Sequence, residues 1–140
     1  SQPPMQANRA HKVTDICSGL LFLAPAYIAW QHDMVSTSLL AAAVASTSFL
    51  HIMFPFYAIR IIDYASAVSY ILVCLGMVVL SDFLYPHTIY AVLCASIAFT
   101  LYGLYSQLYR QHKWSIMYAF WHVFAVGVAI FSTLAFIESV

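Results

Sequence analysis

From Val13 onward the chain is one apolar run after another, broken by only a few residues at a time. A bilayer core of about 30 Å takes roughly 20 apolar residues per helix. Five stretches meet that length, at residues 13–30, 35–54, 61–83, 89–109 and 116–137. The breaks are short: Gln31-His32-Asp33, Phe54-Pro55-Phe56, Tyr85-Pro86-His87 and Arg110-Gln111-His112-Lys113. Trp30, Phe54, Tyr57, Tyr85, Tyr109 and Trp114 sit at their edges, where rings anchor at headgroup level. Composition closes the alternatives. Hydrophobic residues make up 64% of the 140 and charged residues 7%, too few charges to cover a small soluble domain. Disordered chains have the opposite bias. Lys+Arg and Asp+Glu number 5 each, so no basic field exists for nucleic acid. The expectation is an all-α polytopic bundle of five membrane-spanning helices: a polar tail over residues 1–12, then one transmembrane domain over 13–140.

Charge placement tests the count. With sides alternating along five spans, Arg9, Lys12, Arg60, Arg110 and Lys113 all fall on the side of the N-terminus, while Asp33, Asp82 and Glu138 fall opposite. By the positive-inside rule that side is expected to be the cytoplasm, or the matrix or stroma of an organelle. Residues 1–12 contain no apolar core, so no uncleaved signal peptide is expected. Cys17, Cys74 and Cys94 lie in apolar runs with no close partner spacing and read as small apolar residues rather than a disulfide framework. Small residues cluster at Ala41-Ala42-Ala43-Val44-Ala45-Ser46-Thr47-Ser48 and at Ala65, Ser66, Ala67 and Ser69. Such faces let helices approach closely in lipid, with hydroxyls bonding a carbonyl one turn back.

Polar side chains at membrane depth carry the most information, because burying them there is costly. His51 lies near the positive-side end of the second span, Asp63 near the start of the third, and His122 about two turns into the fifth. At 1.5 Å per residue their depths agree within roughly 10 Å. Thr47 precedes His51 by four residues and Tyr118 precedes His122 by four, so each pair shares a helix face. A Thr-x-x-x-His, an Asp and a Tyr-x-x-x-His are expected to converge from three helices. The plainer alternatives are an Asp63–Arg60 pair on one helix and imidazoles bonded to backbone carbonyls. His11, His32, His87 and His112 are expected in loops or the tail.

These residues resemble the CREST superfamily of membrane proteins, which includes alkaline ceramidases, adiponectin and progestin receptors, and myomaker-like proteins. That superfamily is marked by Ser-x-x-x-His on one helix, Asp at the start of the next, and His-x-x-x-His on a later one. The texture is most similar to the myomaker-like branch. Ser18-Gly19-Leu20-Leu21-Phe22-Leu23-Ala24-Pro25 resembles its first hairpin, Asp63-Tyr64-Ala65-Ser66 through Ser81-Asp82-Phe83 and Pro86 its third helix and exit loop, and Tyr118-Ala119-Phe120-Trp121-His122 its last polar motif. The resemblance implies a zinc site with His51 and His122 as ligands and Thr47 and Asp63 beside the metal-bound water. Two departures stand against it. Tyr118 replaces one ligand, where catalytic zinc takes three from the protein, and five spans replace the usual seven.

Three functions follow as expectations. The first is a non-catalytic membrane scaffold with a decayed zinc site, an accessory subunit among other membrane subunits; which membrane holds it is left open, an organelle inner membrane and an endomembrane both being compatible. In that scaffold Tyr118 fills the former metal cavity, its hydroxyl bonding His51 or Asp63, and no resident cofactor is expected. The second is a zinc-dependent lipid amide hydrolase of ceramidase type, with Thr47 and Asp63 catalytic. The third is an anchor subunit binding haem or quinone through His51 and His122.

Overall fold

In a computed structural model the backbone is described for residues 5–54, 56–81, 86–108 and 116–140, and side chains for 13–54, 56–81, 86–104 and 119–140. Among the described residues six helices follow in order: α1 (Met5–Leu20), α2 (Leu23–Gln31), α3 (Val35–Met53), α4 (Tyr57–Leu80), α5 (Pro86–Leu108) and α6 (Ile116–Ser139). No strand occurs among the described residues. With α1 and α2 read as one interrupted span, five segments of 19 to 24 residues are long and apolar enough to cross a bilayer. The chain is an integral membrane protein.

Each boundary has a local cause. Pro25 cannot donate a backbone hydrogen bond, and its ring crowds the carbonyl four residues earlier. The chain yields between α1 and α2, where Leu21 and Phe22 donate to the Ser18 and Gly19 carbonyls at 3.3 and 3.2 Å. The sequence expectation of one continuous first helix is corrected to a broken one. Its N-terminal part also reaches back to Met5, into the stretch read as a tail. After α2, Asp33 takes a positive φ of 62°, a conformation that Asp tolerates better than most residues. Phe54 precedes Pro55 and is extended, at φ −131° and ψ 88°, as a pre-proline residue must be. Pro86 opens α5, where its missing N–H costs nothing. Helix α4 begins at Tyr57, four residues before the expected start, so Arg60 lies inside it. The Arg60 side chain is exposed and rests 5.5 Å from the centre of the Tyr64 ring.

The α1–α2 span packs on α3 and α6, and α4 packs on the same two helices, so four spans close into a ring. Helix α5 lies outside it, seated chiefly on α6. The ring encloses Phe22, Ala26, Ala41, Val44, Ala45, Tyr70, Cys74, Met77, Val126 and Ala129. Of the small residues expected to pack on α3, Ala41, Ala45 and Ser48 are buried, Ala42, Ala43 and Thr47 are half-buried and Ser46 is exposed. Helix α4 does not match its expectation. Ala65 and Ser69 are exposed, and α4 instead turns Asp63, Tyr70, Cys74 and Met77 inward. The hydroxyls behave as read: Ser46, Ser69, Ser96, Thr100 and Thr133 each donate to the carbonyl four residues back. Cys17 is exposed, Cys74 buried and Cys94 half-buried, all as free thiols.

Candidate functional site

The polar residues picked from the sequence fall at one end of the ring, in two groups. The first joins α3 to α4. Asp63, 8% exposed, lies about two turns into α4 and accepts from His51 Nδ1 at 2.9 Å through Oδ2. Its Oδ1 is 3.2 Å from the Thr47 hydroxyl. Thr47 has one proton for that contact and for the Ala43 carbonyl at 2.8 Å, so its bond to Asp63 is the shared and weaker one. The four-residue spacing of Thr47 and His51 aims both at the same carboxylate. The Tyr64 ring lies 6.4 Å from the His51 ring. Arg60 bonds Tyr64 at 3.4 Å rather than pairing with Asp63, which removes the plain ion-pair alternative.

The second group joins α1 to α6. His122, 5% exposed, faces Ser18, with Nδ1 3.0 Å from Oγ. Its ring packs edge-on to Phe22 at 6.1 Å. Ser18 also donates to the Asp15 backbone carbonyl at 2.8 Å. Gly19, next to Ser18, lets α3 come close: a Cβ there would stand 2.7 Å from Ser48 Oγ and 3.9 Å from His122 Cε1. Ser48 Oγ and both carboxylate oxygens of Asp15 are buried without a hydrogen-bond partner.

Asp15, Ser18, Gly19 and Ser48 therefore belong to this region; the sequence reading placed Ser48 on a small-residue face and Ser18 and Gly19 in a hairpin, but none of the four in the polar site. Asp15 offered a signal, since a carboxylate within an apolar span is costly wherever it lies. Ser18 and Ser48 offered none beyond smallness. Tyr118 lies on α6, but its side chain is outside the described residues, and so is its expected bond to His51 or Asp63. His87 is corrected from a loop to the second residue of α5. Its Nδ1 lies 2.8 Å from Glu138 Oε1 and its ring stacks on Phe131.

The hydrogen bonds limit the chemistry. A carboxylate oxygen can only accept, so His51 donates from Nδ1 to Asp63. A carboxylate-anchored imidazole of this kind can take a proton or ligate a metal. Among the described residues, however, no three His, Cys, Asp or Glu side chains converge closely enough to hold a metal ion. The arrangement supplies a His–Asp pair and a separate His–Ser pair, which is short of a three-ligand zinc centre. Comparison with protein-family models, curated proteins and solved structures returns no match.

Proposed function

We propose that this chain is a non-catalytic integral membrane scaffold, an accessory subunit of a larger membrane assembly built on a CREST-like bundle with a decayed zinc site. In this reading the N-terminus lies on the cytoplasmic or matrix side of an organelle inner membrane or endomembrane. The observation that carries it is the use of the polar side chains as fasteners. His51 is taken up by Asp63 across α3 and α4, and His122 by Ser18 across α6 and α1. Interhelical hydrogen bonds are a main source of cohesion in lipid, where apolar burial drives nothing. The short connections between spans add to it, since they leave little chain to shape a substrate mouth.

A second reading, a zinc-dependent lipid amide hydrolase, is favoured by the meeting of Thr47, His51 and Asp63, the residues that the resemblance sets beside the metal. It requires His122 to join them as a ligand. Zinc and haem content of gently solubilised protein, recorded with its native mass, separates the readings. A metal-free preparation with a mass well above one chain is expected. Near-stoichiometric zinc would overturn the scaffold in favour of the hydrolase, and a haem spectrum would overturn both.

A further inference from the structure

The chain has five side-chain carboxylates to set against its cations, and none of the described ones pairs with Arg60. Asp63, three residues further along α4, gives its oxygens to His51 and Thr47 on α3. Both oxygens of Asp15 are buried without a partner. Asp33 follows α2, and Glu138 meets His87 at the start of α5, so both belong to the opposite end of the bundle. Asp82, outside the described residues, comes after the last residue of α4. Arg60 is the fourth residue of that helix, and its side chain is exposed. A long cationic side chain so near the end of a membrane-crossing helix carries its charge to the lipid headgroups. There it finds no counter-charge from its own helix or from α3.

The neighbouring groups are donors. Arg60 donates to the Tyr64 hydroxyl oxygen at 3.4 Å, which spends one of five N–H groups and leaves the phenol its own proton. Tyr57 stands one turn before Arg60 on the same helix face and lies within electrostatic reach of it. Phe56 and Tyr57 are the most exposed aromatic rings among the described residues, and such rings anchor at the headgroup level. A guanidinium and a phenol O–H, side by side and framed by interfacial rings, match the oxygens of a phosphate, which Arg binds in bidentate fashion. We propose that Arg60 and Tyr64 form a binding site for the phosphate of an anionic phospholipid, with Phe56 and Tyr57 bordering it. An anionic headgroup is the match because a zwitterionic one brings its own cation and leaves Arg60 uncompensated. The proposal does not rest on the scaffold reading, since it concerns an exposed face of α4 and not the polar region inside the ring.

The test is native mass spectrometry of the full chain in mild detergent, supplied with equal amounts of phosphatidylglycerol and phosphatidylcholine of the same acyl chains. A phosphatidylglycerol adduct is expected in excess. Arg60→Gln should lower it by about five-fold, the worth of one basic residue at an anionic surface, and leave the phosphatidylcholine adduct unchanged. Tyr64→Phe keeps the charge but removes the phenol proton, and should lower it by about two-fold. Arg110→Gln, an equal loss of net charge, should change it by a clearly smaller factor than Arg60→Gln. Thermal unfolding establishes that each variant is folded; if Arg60→Gln is not, Tyr64→Phe decides, and an unchanged adduct there overturns the site. Equal adducts of the two lipids in the wild type would also overturn it, leaving Arg60 to a carboxylate of another membrane subunit. So would an Arg110→Gln loss as large as that of Arg60→Gln. Displacement of the lipid by millimolar inorganic phosphate would mean a site for soluble anions and overturn the lipid assignment. The readout is headgroup preference, so failure here is distinct from failure of the scaffold reading, which metal content and native mass decide.

Discussion

Gly19→Ala probes the tightest interhelical approach described. The added Cβ would lie 2.7 Å from Ser48 Oγ and 3.3 Å from Ser48 Cβ. The Oγ is the nearer clash, and Ser48 is buried, so either the hydroxyl is forced from its rotamer or α1 and α3 part by a few tenths of an ångström. Overpacking of this kind costs about 1–3 kcal/mol. Replacing a helical glycine by alanine returns about 1 kcal/mol. The net expectation is a destabilisation of about 1 kcal/mol. Ser48→Ala alone should be neutral or slightly stabilising, because its hydroxyl is buried without a partner and such a group is costly to keep. The double variant should recover most of the loss, for a coupling of about 1 kcal/mol, within the range found for touching residues. Reversible unfolding of the four proteins in mixed micelles reads this directly. Additivity within about 0.3 kcal/mol would refute the close approach. So would a Gly19→Ala variant that gains the full helix-propensity term.

Three further outcomes are expected. Asp63→Ala and His51→Ala should each destabilise the fold, and their double-mutant cycle should give a coupling of about 0.6–1.7 kcal/mol, typical of interhelical hydrogen bonds in membranes; a coupling of zero would break the pair. In mild detergent a maleimide should modify buried Cys74 only as the fold opens; early loss of Cys74, read by mass spectrometry, would contradict its inward placement. His87→Ala should cost less than about 1 kcal/mol, because both partners of the His87–Glu138 pair are part-exposed and such pairs are weak and screened by salt; a larger cost in the same unfolding assay, undiminished by salt, would mean that the pair is sealed from solvent.

Thr47, His51 and Asp63 were legible because helical spacing and membrane side act locally: four residues put Thr47 over His51, and a short break returns the chain to the same depth at Asp63. What His122 meets was not legible. Its face can be read from the sequence, but its neighbour is decided by which helices close the ring, and that is set by packing across the whole chain. The broken first span had its cause in plain view at Pro25, yet apolarity alone hides a break that costs little where neighbouring helices fill it. The inward face of α4 was misread for a related reason. Its small residues allow close approach but do not demand it, whereas the cost of leaving Asp63 in lipid does demand an inward turn. Arg60 masked the true start of α4, because a long cationic side chain can leave the helix for the interface while its backbone stays helical.

The seat of α6 in the ring has a consequence for the order of synthesis. When α1 to α4 have entered the bilayer, the ring still lacks one side, and Ser18 and Phe22 face a gap that α6 fills with His122. Helix α5 is made next but does not close that gap. Until α6 arrives, Ser18 lacks its contact with His122 and must be shielded by lipid headgroups, by water or by the insertion machinery, each a poorer host than a packed helix. Completion of the polar region and locking of the bundle are therefore one late event, and a chain stalled before α6 would leave Ser18 and Phe22 without the imidazole that closes over them.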